Sequence, residues 1–254
     1  DQDLLDLIFD SSEEELSRTI NAQPALVALE WSLAMMFESR GVRPSVVLGH
    51  SIGDISAACV AGAMFIETTL EFAVKRGEMM LAFPQMDGVM VAVRCSKAEA
   101  VTAMTACLTD NEQEMVGVGS VNCPQNIVLS GTHNVVQKVL KKLDKVGHSL
   151  QVSHAFHSPL MHDMEEDFRC FISKLDIQRP LTVPLVSTVT GKIVDVGESI
   201  GLEHWVNQLA SPVLFKEAFS LAMDNKVIGE SIVKSKVQRG GEIGPKPGGS
   251  RRAQ

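Results

Sequence analysis

The run Val46-Val47-Leu48-Gly49-His50-Ser51-Ile52-Gly53-Asp54 constrains this chain more than any other stretch. Three apolar residues predict a buried strand, Gly-x-Ser-x-Gly predicts a sharp turn, and the alanine-rich Ile55 to Ala63 predicts a closely packed helix. Strand, turn and helix in that order lift a serine hydroxyl out of a sheet. Both glycines are expected to remove Cβ atoms that would clash. The Ile52 amide, at the start of the helix, is expected to face the place where a tetrahedral oxyanion forms. A Gly/Ser turn without chemistry is the competing reading, and the flanking strand and helix favour a nucleophile.

The rest of the composition narrows the class. At 254 residues with 45% apolar content the chain can bury a large core as one domain, or as a domain carrying an insertion. A net charge of −8 argues against general nucleic-acid binding and against a polybasic membrane contact. No stretch approaches the ~20 uninterrupted apolar residues of a membrane span, and Asp1-Gln2-Asp3 opens no signal peptide. The five cysteines, at 59, 95, 107, 123 and 170, form no Cys-x-x-Cys pair and are odd in number. A reducing compartment follows, the cytoplasm first and a plastid as the alternative.

Upstream of the elbow, Leu4 to Phe9 and Glu13 to Ile20 predict short helices. A stronger one starts at Gln23-Pro24, with Leu26, Leu29, Leu33, Met36 and Phe37 on one face, and ends at Gly41. Downstream, Glu67 to Leu81 predicts a helix with Leu70, Val74 and Met80 towards the core and Arg76 at its polar edge. Spacing alone makes Arg76 a solvated residue. From Met86 the pattern becomes strand (Gly88 to Arg94), helix (Ser96 to Leu108, opened by the capping box Ser96-Lys97-Ala98-Glu99), strand (Met115 to Asn122), strand (Asn126 to Gly131), helix (from Thr132) and strand (His148 to Ser153). This β-α-β-β-α-β order is that of a ferredoxin-like unit. Gly117-Val118-Gly119 lacks the third glycine of a dinucleotide loop. Beyond it, Met164 to Leu175 predicts a helix, Leu181 to Val194 a hairpin turning at Thr190-Gly191-Lys192, and Leu202 to Leu221 helix around Pro212.

A nucleophilic serine needs a base, and His154, His157 and His162 are the clustered candidates, within His154-Ala155-Phe156-His157-Ser158-Pro159-Leu160-Met161 and just after it. A zinc site is the weaker reading of the cluster, which has neither His-Glu-x-x-His nor paired cysteines.

Taken together, Gln23-Pro24-Ala25-Leu26, Gly49-His50-Ser51-Ile52-Gly53, Arg76-Gly77, the segment from His154 to Met161, and Glu242-Ile243-Gly244-Pro245 resemble the acyltransferase domain of type I polyketide synthases, akin to malonyl-CoA:acyl carrier protein transacylases. The resemblance implies an α/β-hydrolase-like core, residues 1–85 and 154–225, with a ferredoxin-like insert at 86–153 and a divergent C-terminal segment or linker at 226–254. It implies transfer of a malonyl unit from malonyl-CoA to the phosphopantetheine thiol of an acyl carrier protein, with no cofactor or metal, beside a ketosynthase and other synthase domains. Residue by residue, Ser51 matches the acylated nucleophile and His157 the base. A backbone carbonyl near Gln208 takes the orienting role, the Ile52 amide is an oxyanion donor, and Arg76 pairs with the malonyl carboxylate, against the reading from spacing. His50 matches a supporting histidine, Gln23 a polar residue near the site, and Asn122 the Asn of an Asn-x-Pro turn. His154 and Phe156 belong to the His-Ala-Phe-His form found in malonyl-type members, and Ile52 is also usual there; Phe156 fills the space of an α-methyl group.

The chain departs from the family in three places. A Gly-Gln-Gly loop that supplies the second oxyanion donor is absent, so the chain is expected to begin inside the domain, and Asp54 replaces a glutamate. Residues 226 to 254 carry seven Lys/Arg against two Asp/Glu and are expected to be poorly ordered. A serine hydrolase or thioesterase with the same dyad, and a catalytically weak structural piece of a synthase, stand as the alternatives.

Overall fold

In the computed structural model, residues 3–84 and 87–224 are described. The sequence expectations for 226–254, including Glu242 to Pro245, lie outside the described residues. The chain opens with α1 (Leu4–Asp10) and α2 (Glu13–Ser17), each capped by a side chain, Asp3 to the Leu5 amide and Ser12 to the Glu15 amide. Extended backbone at Arg18 separates α2 from α3 (Thr19–Ser39), so the long helix begins one turn before Gln23-Pro24 and holds Pro24 inside it. Its buried residues are Gln23, Pro24, Ala25 and Val27. The expected stripe fails beyond them: Leu29, Met36 and Phe37 are each more than a third exposed. The reason is placement, since the buried residues all fall in the first half of α3 and the later turns run past the core.

After the elbow come α4 (Ile52–Val60) and α5 (Ile66–Ala82). The core face of α5 is Thr69, Phe72, Ala73, Arg76, Gly77 and Met80; Val74 points outward instead. Arg76 is therefore a core residue, 2% exposed. Gly77 explains how the two helices come so close. A Cβ there would stand 2.9 Å from Ile20 Cα and 3.0 Å from the Thr19 carbonyl, so only glycine lets α5 lie on the first turn of α3.

The next segment forms an antiparallel sheet from β1 (Gly88–Val93), β2 (Val116–Cys123), β3 (Asn126–Thr132) and β4 (His148–Ser149), in the order β2-β3-β1-β4. It is joined by α6 (Lys97–Cys107), the short α7 (Asp110–Gln113) and α8 (His133–Leu143). The Ser96–Glu99 capping box is present as expected. Apolar alternation in β1 to β3 and the inner faces of α6 and α8 close a core of their own, including Val91, Val118, Ile127, Leu129, Val136 and Val139. The last strand is shorter than the sequence predicts. Leu150 N–H still reaches the Met90 carbonyl, but Val152 N–H bonds to Leu150 and turns the chain away.

A 3₁₀ turn (Pro159–Met164) leads into α9 (Glu165–Ile172), followed by the hairpin β5 (Leu185–Val186) and β6 (Ile193–Val194), then α10 (Leu202–Ala210) and α11 (Phe215–Ala222). The expected strand at Val46 to Leu48 is reduced to a single parallel bridge, Val47 to Leu185, with Val47 N–H bonding the Pro184 carbonyl and Val186 N–H the Val47 carbonyl. Pro44 and Pro184 offer no amide donors to lengthen it. The larger core beneath is built on Phe72, Phe168 and Trp205, with Trp205 edge-on to Phe72 at 5.6 Å. Among the described residues no helix is long and apolar enough to cross a membrane, and all five cysteines are free thiols.

Candidate active site

Ser51 is the residue before α4 and holds φ 55°, ψ −114°, a conformation that L-residues avoid. The turn depends on Gly49, whose added Cβ would lie 2.0 Å from the Gly53 carbonyl group. Gly53 does not have the expected role: a Cβ there meets nothing closer than Glu30 Oε1 at 3.9 Å. The clash is thus one-sided. The amides of Gly53 and Asp54 bond back to His50 and Ser51, while that of Ile52, the first residue of α4, is one of the donors a helix N-terminus leaves without an intrahelical acceptor.

Of the three histidines, His157 is the one brought to the serine. Its Nε2 lies 2.7 Å from Ser51 Oγ, and it too holds a positive φ, 56°. His162 pairs at the surface with Glu165. His154 accepts from Ser153 and donates through Nε2 to the Phe83 carbonyl at 3.1 Å, tying its segment to the end of α5 with its ring 5.7 Å from Phe156. It therefore meets the site through Phe156, and both its nitrogens are committed elsewhere.

His157 is oriented by the C-terminal end of α10. Its Nδ1–H donates to the Ser211 carbonyl at 3.1 Å, and its backbone N–H to that of Leu209. This refines the expectation at Gln208, whose carbonyl is the weaker of the two facing the imidazole. No carboxylate is needed. Carbonyls at a helix end select the Nδ1–H tautomer, leave Nε2 free to accept, and their dipole favours the imidazolium that forms when Ser51 gives up its proton. Burial, with Arg76 and His50 adding to it, pushes His157 down to about 3, so the ring is neutral and its Nε2 lone pair is free to accept from Ser51. The Ser211 carbonyl is held in turn, because Val213 N–H bonds Gly119 and Val121 N–H bonds Val213, joining this segment to β2. Sequence reasoning missed Ser211, although Pro212 after the helix marks where the free carbonyls fall.

The side chain of Gln208 does something else. Its Nε2 donates to the Ser51 carbonyl at 2.7 Å, and its Oε1 accepts from Arg76 Nη2 at 3.1 Å. Arg76 Nη1 donates to Gln23 Oε1 at 2.7 Å, and Gln23 Nε2 to Thr19 Oγ1 and Met80 Sδ. All three residues are 5% exposed or less. Among the described residues the guanidinium thus has two neutral amides as partners, and its Nε has none. Burial lowers it to about 10, still charged at neutral pH. A buried cation without a counter-charge is costly, and one beside a nucleophile is a seat for an anion. His50, on the other side, donates from Nε2 to Asn122 Oδ1 at 2.9 Å and packs on Phe215, with desolvation lowering its pKa. Phe156 and Ile52 are half-buried against the larger core, and the Phe156 carbonyl accepts from Ser130.

A helix-terminal serine, a neutral histidine oriented by carbonyls and a buried arginine can accept an acyl group that carries an anion. In class, this is a serine-histidine dyad on an α/β scaffold. The chain belongs to the acyl transferase domain family, whose model matches residues 1–231. Polyketide synthase GfsB of Streptomyces halstedii is 39% identical over 212 residues, 82% of this chain and 4% of that protein. The malonyl CoA-acyl carrier protein transacylase of Bacillus subtilis is 35% identical over 234 residues, 90% of this chain and 71% of that one. The acyltransferase domain from the second module of the salinomycin polyketide synthase superposes with a TM-score of 0.78 at 36% identity, covering 86% of this chain and 50% of its own. The chain therefore spans a small part of the synthase and half of the solved domain.

Proposed function

We propose that the protein moves a malonyl unit from malonyl-CoA to the phosphopantetheine thiol of an acyl carrier protein, in polyketide or fatty-acid synthesis. The observation that carries this reading is Arg76, a buried guanidinium whose Nε has no partner among the described residues, linked through Gln208 to the Ser51 backbone. His157 takes the Ser51 proton as Oγ attacks the thioester carbonyl. The C–O bond forms, the oxyanion collects at the Ile52 amide, and the C–S bond breaks as CoA leaves with the proton. The carrier's thiol then gives its proton to His157, attacks malonyl-Ser51 and frees the serine. Arg76 holds the distal carboxylate by parallel hydrogen bonds throughout.

Gln23 supports Arg76, His50 and Asn122 brace the approach to the elbow, and His154 sets Phe156. Phe156 and Ile52 disfavour an α-methyl group, at about 1–3 kcal/mol for a methyl in an apolar pocket. No cofactor is required by these steps. The strand order β2-β3-β1-β4 supports a ferredoxin-like unit at 86–153, set into an α/β-hydrolase-like core of 1–85 and 154–225. The carrier protein and a ketosynthase are the partners this reading implies, in the cytoplasm, in keeping with five free thiols.

The test is intact-protein mass after brief exposure to malonyl-CoA, with methylmalonyl-CoA and acetyl-CoA in parallel and Ser51→Ala as control. A single malonyl adduct, absent in Ser51→Ala and passed to a carrier protein, is the expected result. Steady release of CoA into water without an adduct overturns it in favour of a hydrolase; neither adduct nor release makes the chain a structural piece.

A further inference from the structure

Beneath the elbow lies a polar contact that the acyl-transfer steps do not use. Asp54, in the first turn of α4, is fully buried, and His204, in the first turn of α10, is 11% exposed at its side chain. His204 Nε2 stands 3.5 Å from Asp54 Oδ2, facing it without a hydrogen bond, and among the described residues neither carboxylate oxygen nor Nε2 has any hydrogen-bond partner. The Thr188 amide faces the same carboxylate, and burial pushes that carboxyl up against the pull of His204. Trp205 packs edge-on to the His204 ring at 4.8 Å.

Position on the helices gives the contact its meaning. His204 and Gln208 are four residues apart and so share one face of α10. From that face Gln208 reaches the Ser51 carbonyl at 2.7 Å and His204 reaches Asp54, three residues further into α4. These two polar contacts with the elbow and α4 add to the apolar packing of Trp205, Val206 and Leu209, which seats α10 in the larger core. The far end of α10 presents the Leu209 and Ser211 carbonyls to His157. One helix therefore grips the nucleophile's helix with its side and orients the base with its end.

We propose that Asp54 and His204 form a positioning pair that locks α10 to α4 and so holds Ser51 Oγ in reach of His157 Nε2. The pair also offsets a carboxylate that, left alone in the first turn of α4, opposes the oxyanion at the Ile52 amide. The inference rests on the acyl-transfer reading for its second effect only.

The experiment compares wild type with Asp54→Asn, His204→Leu, His204→Gln and the double variant Asp54→Asn/His204→Leu. Two rates are read for each: phosphonylation of Ser51 by a fluorophosphonate, which needs only an activated serine, and formation of the malonyl adduct. Measurements are made well below the melting temperature of the least stable variant. Asp54→Asn and His204→Leu are each expected to slow both rates roughly 10- to 100-fold, as small displacements of reacting groups do, with KM for malonyl-CoA within about twofold. His204→Gln, whose amide nitrogen reaches near the Nε2 position, is expected to stay within about threefold of wild type, and the double variant to be no slower than the slower single one. Additive losses, a His204→Gln as slow as His204→Leu, or unchanged phosphonylation would each overturn the pair. Should Asp54→Asn fail to fold, the two His204 variants decide alone. Phosphonylation of wild type without a malonyl adduct would remove the transferase reading and leave the pair tested.

Discussion

Arg76 and Arg169 show two ways of keeping a guanidinium. Arg169, near the end of α9, lies at the surface between Glu166 and Glu203, bonds to both carboxylates, and is held above the usual arginine range by them, Glu203 first. Arg76 lies in the core with amides for neighbours and is pushed down by burial. The satisfied arginine is where water could have served it, and the unsatisfied one is where water cannot. In the proposed function that missing anion is the carboxylate of the incoming acyl group.

The sharpest way to break the contrast is to remove the buried partner. Arg76→Ala is expected to lower kcat/KM for malonyl-CoA about 10²- to 10³-fold, in the range found when one member of a buried charge pair is truncated, and to leave acetyl-CoA nearly unchanged. Parallel losses on both substrates, measured by adduct formation, would mean that Arg76 is no carboxylate seat. Gln23→Leu is a smaller cut. It leaves Nη1 without its acceptor and is expected to raise KM for malonyl-CoA roughly 3- to 10-fold with little change in kcat.

Next comes pH. Because His157 is held at about 3, with Arg76 contributing, the acylation rate of wild type is expected to stay level from pH 8 to about 5, with no fall near 6.5. Removing the Arg76 charge moves the acid limb of that profile upward. The same shift acts on stability: below pH 6.5 the unfolded histidine binds a proton that the folded one refuses, so this residue lowers stability as pH falls from 6.5 towards 3. A denaturant midpoint that rises on acidification in that window would contradict it. The smallest effect belongs to the surface. Arg169→Ala is expected to leave kcat/KM within about twofold and shift the melting temperature by no more than about 2 °C, because exposed pairs contribute little.

What the sequence showed and what it hid divide along similar lines. Local chemistry was legible: the capping box at Ser96, the elbow at Gly49, the turn between β2 and β3. The resemblance named Ser51 and His157 as a pair, and of the three neighbouring histidines His157 is the one whose ring lies against the serine. Arg76 was misread from spacing, since its burial depends on Gly77 admitting the first turn of α3, a contact 53 or more residues away in the chain. The orienting carbonyl was expected near Gln208 and lies at Ser211, because which carbonyls are left free depends on where α10 ends, and a backbone carbonyl has no letter in a sequence. The stripe on α3 and the strand at Val46 to Leu48 failed for a related reason, as periodicity reports which side is apolar and says nothing of how far a neighbour extends.

The stitch between Val213 and β2 has a consequence for anyone recombining domains of this kind. Residues 87–149 look like a cassette that can be lifted out and replaced, yet their β2 strand bonds Val213, two residues beyond the carbonyl that meets the His157 imidazole. A chimera cut only at the cassette's own two ends inherits a foreign rest for residues 211–213. Grafts that carry those three residues along with the cassette should retain turnover where the simpler swaps lose it.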